Sequence, residues 1–136
     1  MPSVSAWYRF AGVMLIGVAP LLAAASVYSA KERSKRQAMA MAMTGGDPAL
    51  APPIFRRYGC GGCHTIPGIP GADGKVGGPL QGLSQRVYIG GVANNSADNL
   101  VAWIVTPQRF SPNSAMPATG VSAAEARHLA AYLYAH

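Results

Sequence analysis

With 136 residues the chain holds one domain and a short appendage, and half of its residues are hydrophobic. Its formal charge of +6 is unevenly placed: Arg9, Lys31, Arg33, Lys35 and Arg36, five of the eleven basic residues, flank one apolar segment. From residue 44 onward six basic residues face four acidic ones, a balance of +2, which argues against nucleic-acid binding.

That apolar segment, residues 10–30, contains no charged side chain over 21 positions. At about 1.5 Å per residue it would span roughly 30 Å, the thickness of a bilayer core. Basic residues beside such a span each add about 1 kcal/mol of attraction to anionic lipid. Two readings compete for residues 1–30: a signal peptide cut near Ala23-Ala24-Ala25-Ser26, and an uncleaved anchor that forms one transmembrane helix. Length favours the anchor, although Gly12, Gly17 and Pro20 weaken the helix. Residues 31–46 form a basic linker. Residues 31–43 are good helix formers able to prolong the anchor. Met39, Met41 and Met43, alternating with alanine, read as a flexible apolar connection, and Gly45-Gly46 reads as a hinge.

The remaining domain, residues 47–136, opens at Asp47-Pro48, an N-cap followed by proline in a first helical turn. Pro52-Pro53 blurs that start, so the dependable helical part is residues 54–59. It leads into Cys60-Gly61-Gly62-Cys63-His64. Two thiols three positions apart, followed by an imidazole, form the attachment site of a c-type haem. Each cysteine adds across one vinyl group of the same porphyrin, so the sulfurs must leave one short turn of chain. His64 then sits beneath the iron as its proximal ligand. Gly61 and Gly62 keep the turn open for close approach of the ring. A thioredoxin-like site would need a strand before the motif, and a zinc ribbon would need a second ligand pair. A Cys60–Cys63 disulfide would leave His64 without a role.

Residues 65–79 are a Gly/Pro-rich loop. A middle helix opens at Ser96, runs through Leu100, Trp103 and Ile104, and stops before Pro107. Residues 106–120, with Pro107, Pro112 and Pro117, are irregular. The last helix begins at the capping box Ser122-Ala-Ala-Glu125 and carries an apolar face of Leu129, Tyr132 and Leu133. No alternating strand pattern and no internal repeat is visible. Met116 is the candidate second iron ligand, 52 residues beyond His64 and stiffened by Pro117; a methionine filling a core gap is the rival reading. His128 reads as a surface or packing residue, and His136 as a fraying end.

Together these features resemble the class I cytochromes c over residues 47–136, and among them the membrane-anchored domains that serve terminal oxidases. The resemblance rests on Tyr58-Gly59 before the cysteine motif, Gly77-Gly78-Pro79-Leu80, Trp103-Ile104, Met116-Pro117 and Ala131-Tyr132-Leu133. It implies an all-α fold of three to four short helices around one covalent haem, with Phe55 and Tyr132 meeting where the first and last helices cross. It implies that the carbonyl at position 78 holds His64, although this position is usually proline and here is glycine, with Pro79 one later. Arg86, Tyr88 and Trp103 resemble residues that bind haem propionates.

The expected function is one-electron transfer between a quinol-oxidising complex and a terminal oxidase or similar acceptor. Haem c is joined to protein on the outer side of the bacterial inner membrane, so residues 31–136 are expected on that periplasmic face, even though the positive-inside rule would place residues 31–36 in the cytoplasm. No general-base constellation is present, and the chain reads as a carrier rather than an enzyme. Two alternatives remain: a fixed haem subunit of a larger membrane oxidase or dehydrogenase, and a sensor or peroxidase with an open iron.

Overall fold

The computed structural model describes residues 4–136, with side chains from Gly17 onward. The chain divides into two compact units, Met1–Lys35 and Arg36–His136. Helix α1 is Val4–Thr44, with Pro20 inside it. Residues 17–30 are exposed throughout, among them Val18, Leu21, Leu22, Val27 and Tyr28. Among the described residues no helix is long and apolar enough to cross a membrane. The front of the segment expected to do so, residues 10–16, lies outside the described side chains.

In the second unit two expectations about the linker are corrected. Met39, Met41 and Met43 stand exposed on the last turns of α1, not in a flexible connection. Gly45-Gly46 is no hinge. A Cβ on Gly46 would fall 2.1 Å from the carbonyl oxygen of Arg127, so the chain is pressed directly against the backbone of the last helix. The neighbouring groups are fastened as well: Arg127 Nη1 donates to Thr44 O at 3.2 Å, and Asp47 N–H donates to His128 Nδ1 at 2.8 Å. His128 is thus a half-buried acceptor in its neutral form, its proton on Nε2.

Asp47 caps a 3-10 turn, Pro48–Leu50, by accepting from Ala49 N–H at 2.9 Å. Helix α2, Ala51–Arg57, starts earlier and ends earlier than expected. Pro52 and Pro53 fall in its first turn, where backbone N–H groups have no helical partner to lose. Two strands of two residues each, β1 (Tyr88–Ile89) and β2 (Ala93–Asn94), pair antiparallel with Tyr88 opposite Asn94 and Ile89 opposite Ala93. Elements this short show no sequence alternation. Helix α3, Ala97–Val105, is capped by Ser96, which accepts from Asn99 N–H at 3.2 Å. Helix α4, Ala123–Ala135, carries the expected capping box.

The core gathers where α2 and α3 pack on α4. Ile54 and Phe55, Leu100, Val101 and Ile104, and Leu129, Tyr132 and Leu133 are all buried. Ala126, Ala130 and Ala131 are fully buried too, and their small side chains let the neighbours come close to α4. Phe55 and Tyr132 meet edge to face, centroids 5.4 Å apart at 74°. His136 does not fray: its ring stacks on Tyr132 at 4.1 Å and its Nδ1 donates to Tyr132 O at 2.9 Å. This mostly helical domain is the all-α architecture expected from the sequence.

Candidate haem site

The cysteine motif forms one tight turn. Cys60–Gly62 is a 3-10 turn, closed by Cys63 N–H to Cys60 O at 3.2 Å and His64 N–H to Cys60 O at 3.0 Å. Both thiols and the imidazole thereby leave a single loop of backbone. Both cysteines are free, Cys60 half-buried and Cys63 exposed. Burial pushes the Cys60 thiol up, the opposite of the lowered thiol that thioredoxin-type chemistry uses. Gly61 has a packing reason beyond the one expected, since a Cβ there would lie 2.8 Å from that of Ala72.

His64 Nδ1 lies 2.7 Å from Gly78 O. A carbonyl can only accept, so Nδ1 carries the proton and Nε2 keeps its lone pair, the form that binds a metal. The loop supplying that carbonyl is pinned on both sides: Gly77 N–H donates to Cys63 O at 2.7 Å and Leu80 N–H to Thr65 O at 2.9 Å. Gly77 rests against the imidazole itself, and a Cβ there would stand 2.3 Å from His64 Cε1 and 2.6 Å from Nδ1.

The other predicted residues are spread over separate segments. Met116 is half-buried in the loop before α4, its backbone held at both polar atoms: its N–H donates to Ser114 Oγ at 3.2 Å and its carbonyl accepts from Gln108 Nε2 at 2.8 Å. Trp103 packs on Phe110, ring centroids 6.1 Å apart, and against Gly90. Tyr88 is exposed on β1. Among the described residues neither the Tyr88 hydroxyl nor the Trp103 indole N–H has a protein partner. Arg86 instead turns to the loop backbone: its Nη2 donates to Pro79 O and, at 3.0 Å, to Gln81 O.

Sequence reasoning missed two sets of residues. Asn95 Nδ2 donates to Leu83 O at 2.7 Å and Arg86 O at 2.8 Å, while its Oδ1 accepts from the Tyr134 hydroxyl at 2.8 Å. Near the motif, Glu125 is more than a cap: it accepts from Arg57 Nη1 at 2.7 Å and from the Tyr58 hydroxyl at 2.9 Å, tying the end of α2 to the start of α4. Hydrogen bonds from Ser122 and Tyr58 hold its carboxyl below the usual carboxylate range. A depressed carboxyl contributes stability above its unfolded pKa and loses it as pH falls through the folded pKa. Glu125→Gln is therefore expected to lower the melting temperature at neutral pH by an amount that shrinks toward zero in acid. Melts of both proteins between neutral and acid pH check this; a pH-independent difference would refute the ionic origin.

The residues fit a haem. Two free thiols, an imidazole with a bare Nε2 and a thioether form the right donor set. Among the described residues no group of three or more His, Cys, Asp or Glu side chains is placed to hold a metal ion.

The cytochrome c family matches residues 49–135, well over half of the chain. The chain therefore belongs to the cytochrome c family, whose haem c is covalently bound, and Cys60 and Cys63 fit its attachment motif. It is also similar to the cytochrome c oxidase subunit 2 of Alkalihalophilus pseudofirmus, 34% identical over 82 residues, which is 59% of this chain and 23% of that protein. The chain thus matches only about a quarter of that relative's length. No solved structure matches significantly.

Proposed function

We propose that the protein is a membrane-tethered carrier of single electrons on the outer face of a bacterial inner membrane, taking them from a quinol-oxidising complex and delivering them to a terminal oxidase or similar acceptor. The observation that carries this is the His64–Gly78 bond within the cysteine turn, which presents a bare Nε2 beside two thiols. Haem c supplies one-electron exchange at iron when bound. The protein's part is to orient His64 through Gly78, to offer the Met116 thioether as a second donor, and to leave the Tyr88 O–H and Trp103 N–H free, among the described residues, as donors that would serve propionates, while the Arg86 Nη2 is engaged with the loop backbone. With His64 and Met116 both donating, the protein would hold the haem as an electron-transfer group rather than leave a position open to substrate.

The tether rests on the exposed apolar residues 17–30 followed by Lys31, Arg33, Lys35 and Arg36. Two ionised propionates would nearly cancel the +2 of the haem domain, leaving little charge to steer a free carrier. A tether replaces steering with an effective concentration on the order of 1 mM. Similarity to an oxidase subunit favours a second reading, a fixed haem subunit of such a complex.

Removing residues 1–35 separates these readings. A tethered carrier is expected to leave the membrane fraction with its haem attached, and its electron delivery should collapse at micromolar protein. A truncated chain that stays in membranes in fixed ratio to an oxidase makes it a subunit; one released with delivery intact overturns the tether.

A further inference from the structure

We infer that Arg86 is a positioning residue for His64, acting through the backbone of the loop that carries Gly78; this rests on reading His64 as an axial ligand. Gly78 supplies the carbonyl that fixes the imidazole, yet nothing of its own stiffens it. It has no side chain, is exposed, and its N–H donates no hydrogen bond among the described residues. The next carbonyl along, Pro79 O, is taken by Arg86 Nη2, which also takes Gln81 O at 3.0 Å. One guanidinium nitrogen thus closes the loop immediately beyond the critical carbonyl.

Arg86 can do this because its own backbone is immobilised. Its N–H donates to Leu83 O at 3.1 Å, and its carbonyl accepts from Asn95 Nδ2 at 2.8 Å. Asn95 N–H donates to Val87 O at 2.9 Å, and the Tyr134 hydroxyl on α4 holds Asn95 Oδ1. A continuous line of hydrogen bonds therefore runs from α4 through Tyr134, Asn95 and Arg86 to Pro79, the residue bonded to Gly78. The geometry gives Arg86 a task separate from any attraction of its charge to propionates, since the two roles respond differently to substitution. Lysine keeps the charge but cannot reproduce the planar, multi-donor guanidinium.

The test uses the full haem-loaded chain with Arg86→Gln, Arg86→Lys, Gly78→Pro and the two double variants. The readouts are the solvent-exchange rate of the His64 Nδ1 proton, by nuclear magnetic resonance, and the reduction potential. Arg86 is exposed, so its variants are expected to fold. Both Arg86 variants should speed exchange about five- to tenfold, the effect of one lost hydrogen bond, and shift the potential in the same direction. Proline meets no obstacle at position 78: φ there is not positive, the Gly78 N–H donates no bond among the described residues, and a Cβ would meet nothing within 4 Å. By fixing φ it should return both readouts toward wild type. Exchange unchanged in Arg86→Gln, or an Arg86→Lys variant equal to wild type with no rescue by proline, would overturn the clamp. His64→Ala distinguishes this from failure of the parent reading: an unaltered spectrum and potential there would show that His64 is not a ligand at all.

Discussion

Replacing Met116 with alanine is expected to leave the haem covalently attached, to lower its reduction potential and to open the iron to added ligands. A thioether is a weak neutral donor that favours the ferrous state, so its loss removes a stabilisation of the reduced form. Axial ligands command a range of about 0.8 V across haem proteins, and losing one of two should cost a sizeable fraction of it. The backbone around Met116 is held by Ser114 and Gln108, so truncating the side chain leaves its loop in place. Redox titration and carbon monoxide binding check the result. An unchanged potential would exclude Met116 as the ligand. Ready carbon monoxide binding by the unmutated ferrous protein would favour the open-iron alternative.

Gly77→Ala is expected to be strongly destabilising and to act directly on the imidazole. The added Cβ would lie 2.3 to 2.9 Å from three atoms of the His64 ring, and neither side can yield freely. Gly77 N–H is bonded to Cys63 O, and the ring is bonded to Gly78 O. Overpacking of this kind costs about 1–3 kcal/mol, and each kcal/mol lowers the melting temperature of such a domain by about 4–8 °C. The His64–Gly78 bond should weaken with it, so the variant should also take up external ligands more readily. Gly78→Ala is the matched control: a Cβ there meets nothing within 4 Å, and the change should stay within about 0.5 kcal/mol. Thermal melts of the two variants side by side decide the matter. Equal effects would mean that contact with the imidazole is not what constrains position 77.

What could be read from the sequence was what local chemistry fixes. The spacing of Cys60, Cys63 and His64 is set by the porphyrin edge, and the Ser122–Glu125 box satisfies backbone donors within one turn. The Phe55–Tyr132 contact followed from family resemblance. The Arg86 clamp was not legible, because Pro79, Arg86, Asn95 and Tyr134 come from four separated positions and share no periodicity. Arg86 was read through its resemblance to propionate-binding residues, which pointed its donors at the haem and not at the Pro79 and Gln81 carbonyls they meet. Gly45-Gly46 was misread for a related reason: glycine advertises backbone freedom, but at Gly46 the absent side chain serves tertiary approach to Arg127. The early start of α2 was hidden by prolines, which break helices everywhere except in the first turn.

The fastening of Gly46 and Asp47 onto α4 changes what the paired glycines do in this chain. The dipeptide best suited to act as a swivel is spent as a rivet, and position 46 gives the domain that follows no freedom of its own. Extra glycines inserted at 45–46 would add no slack; they would prise the last helix away from the chain that leads into it.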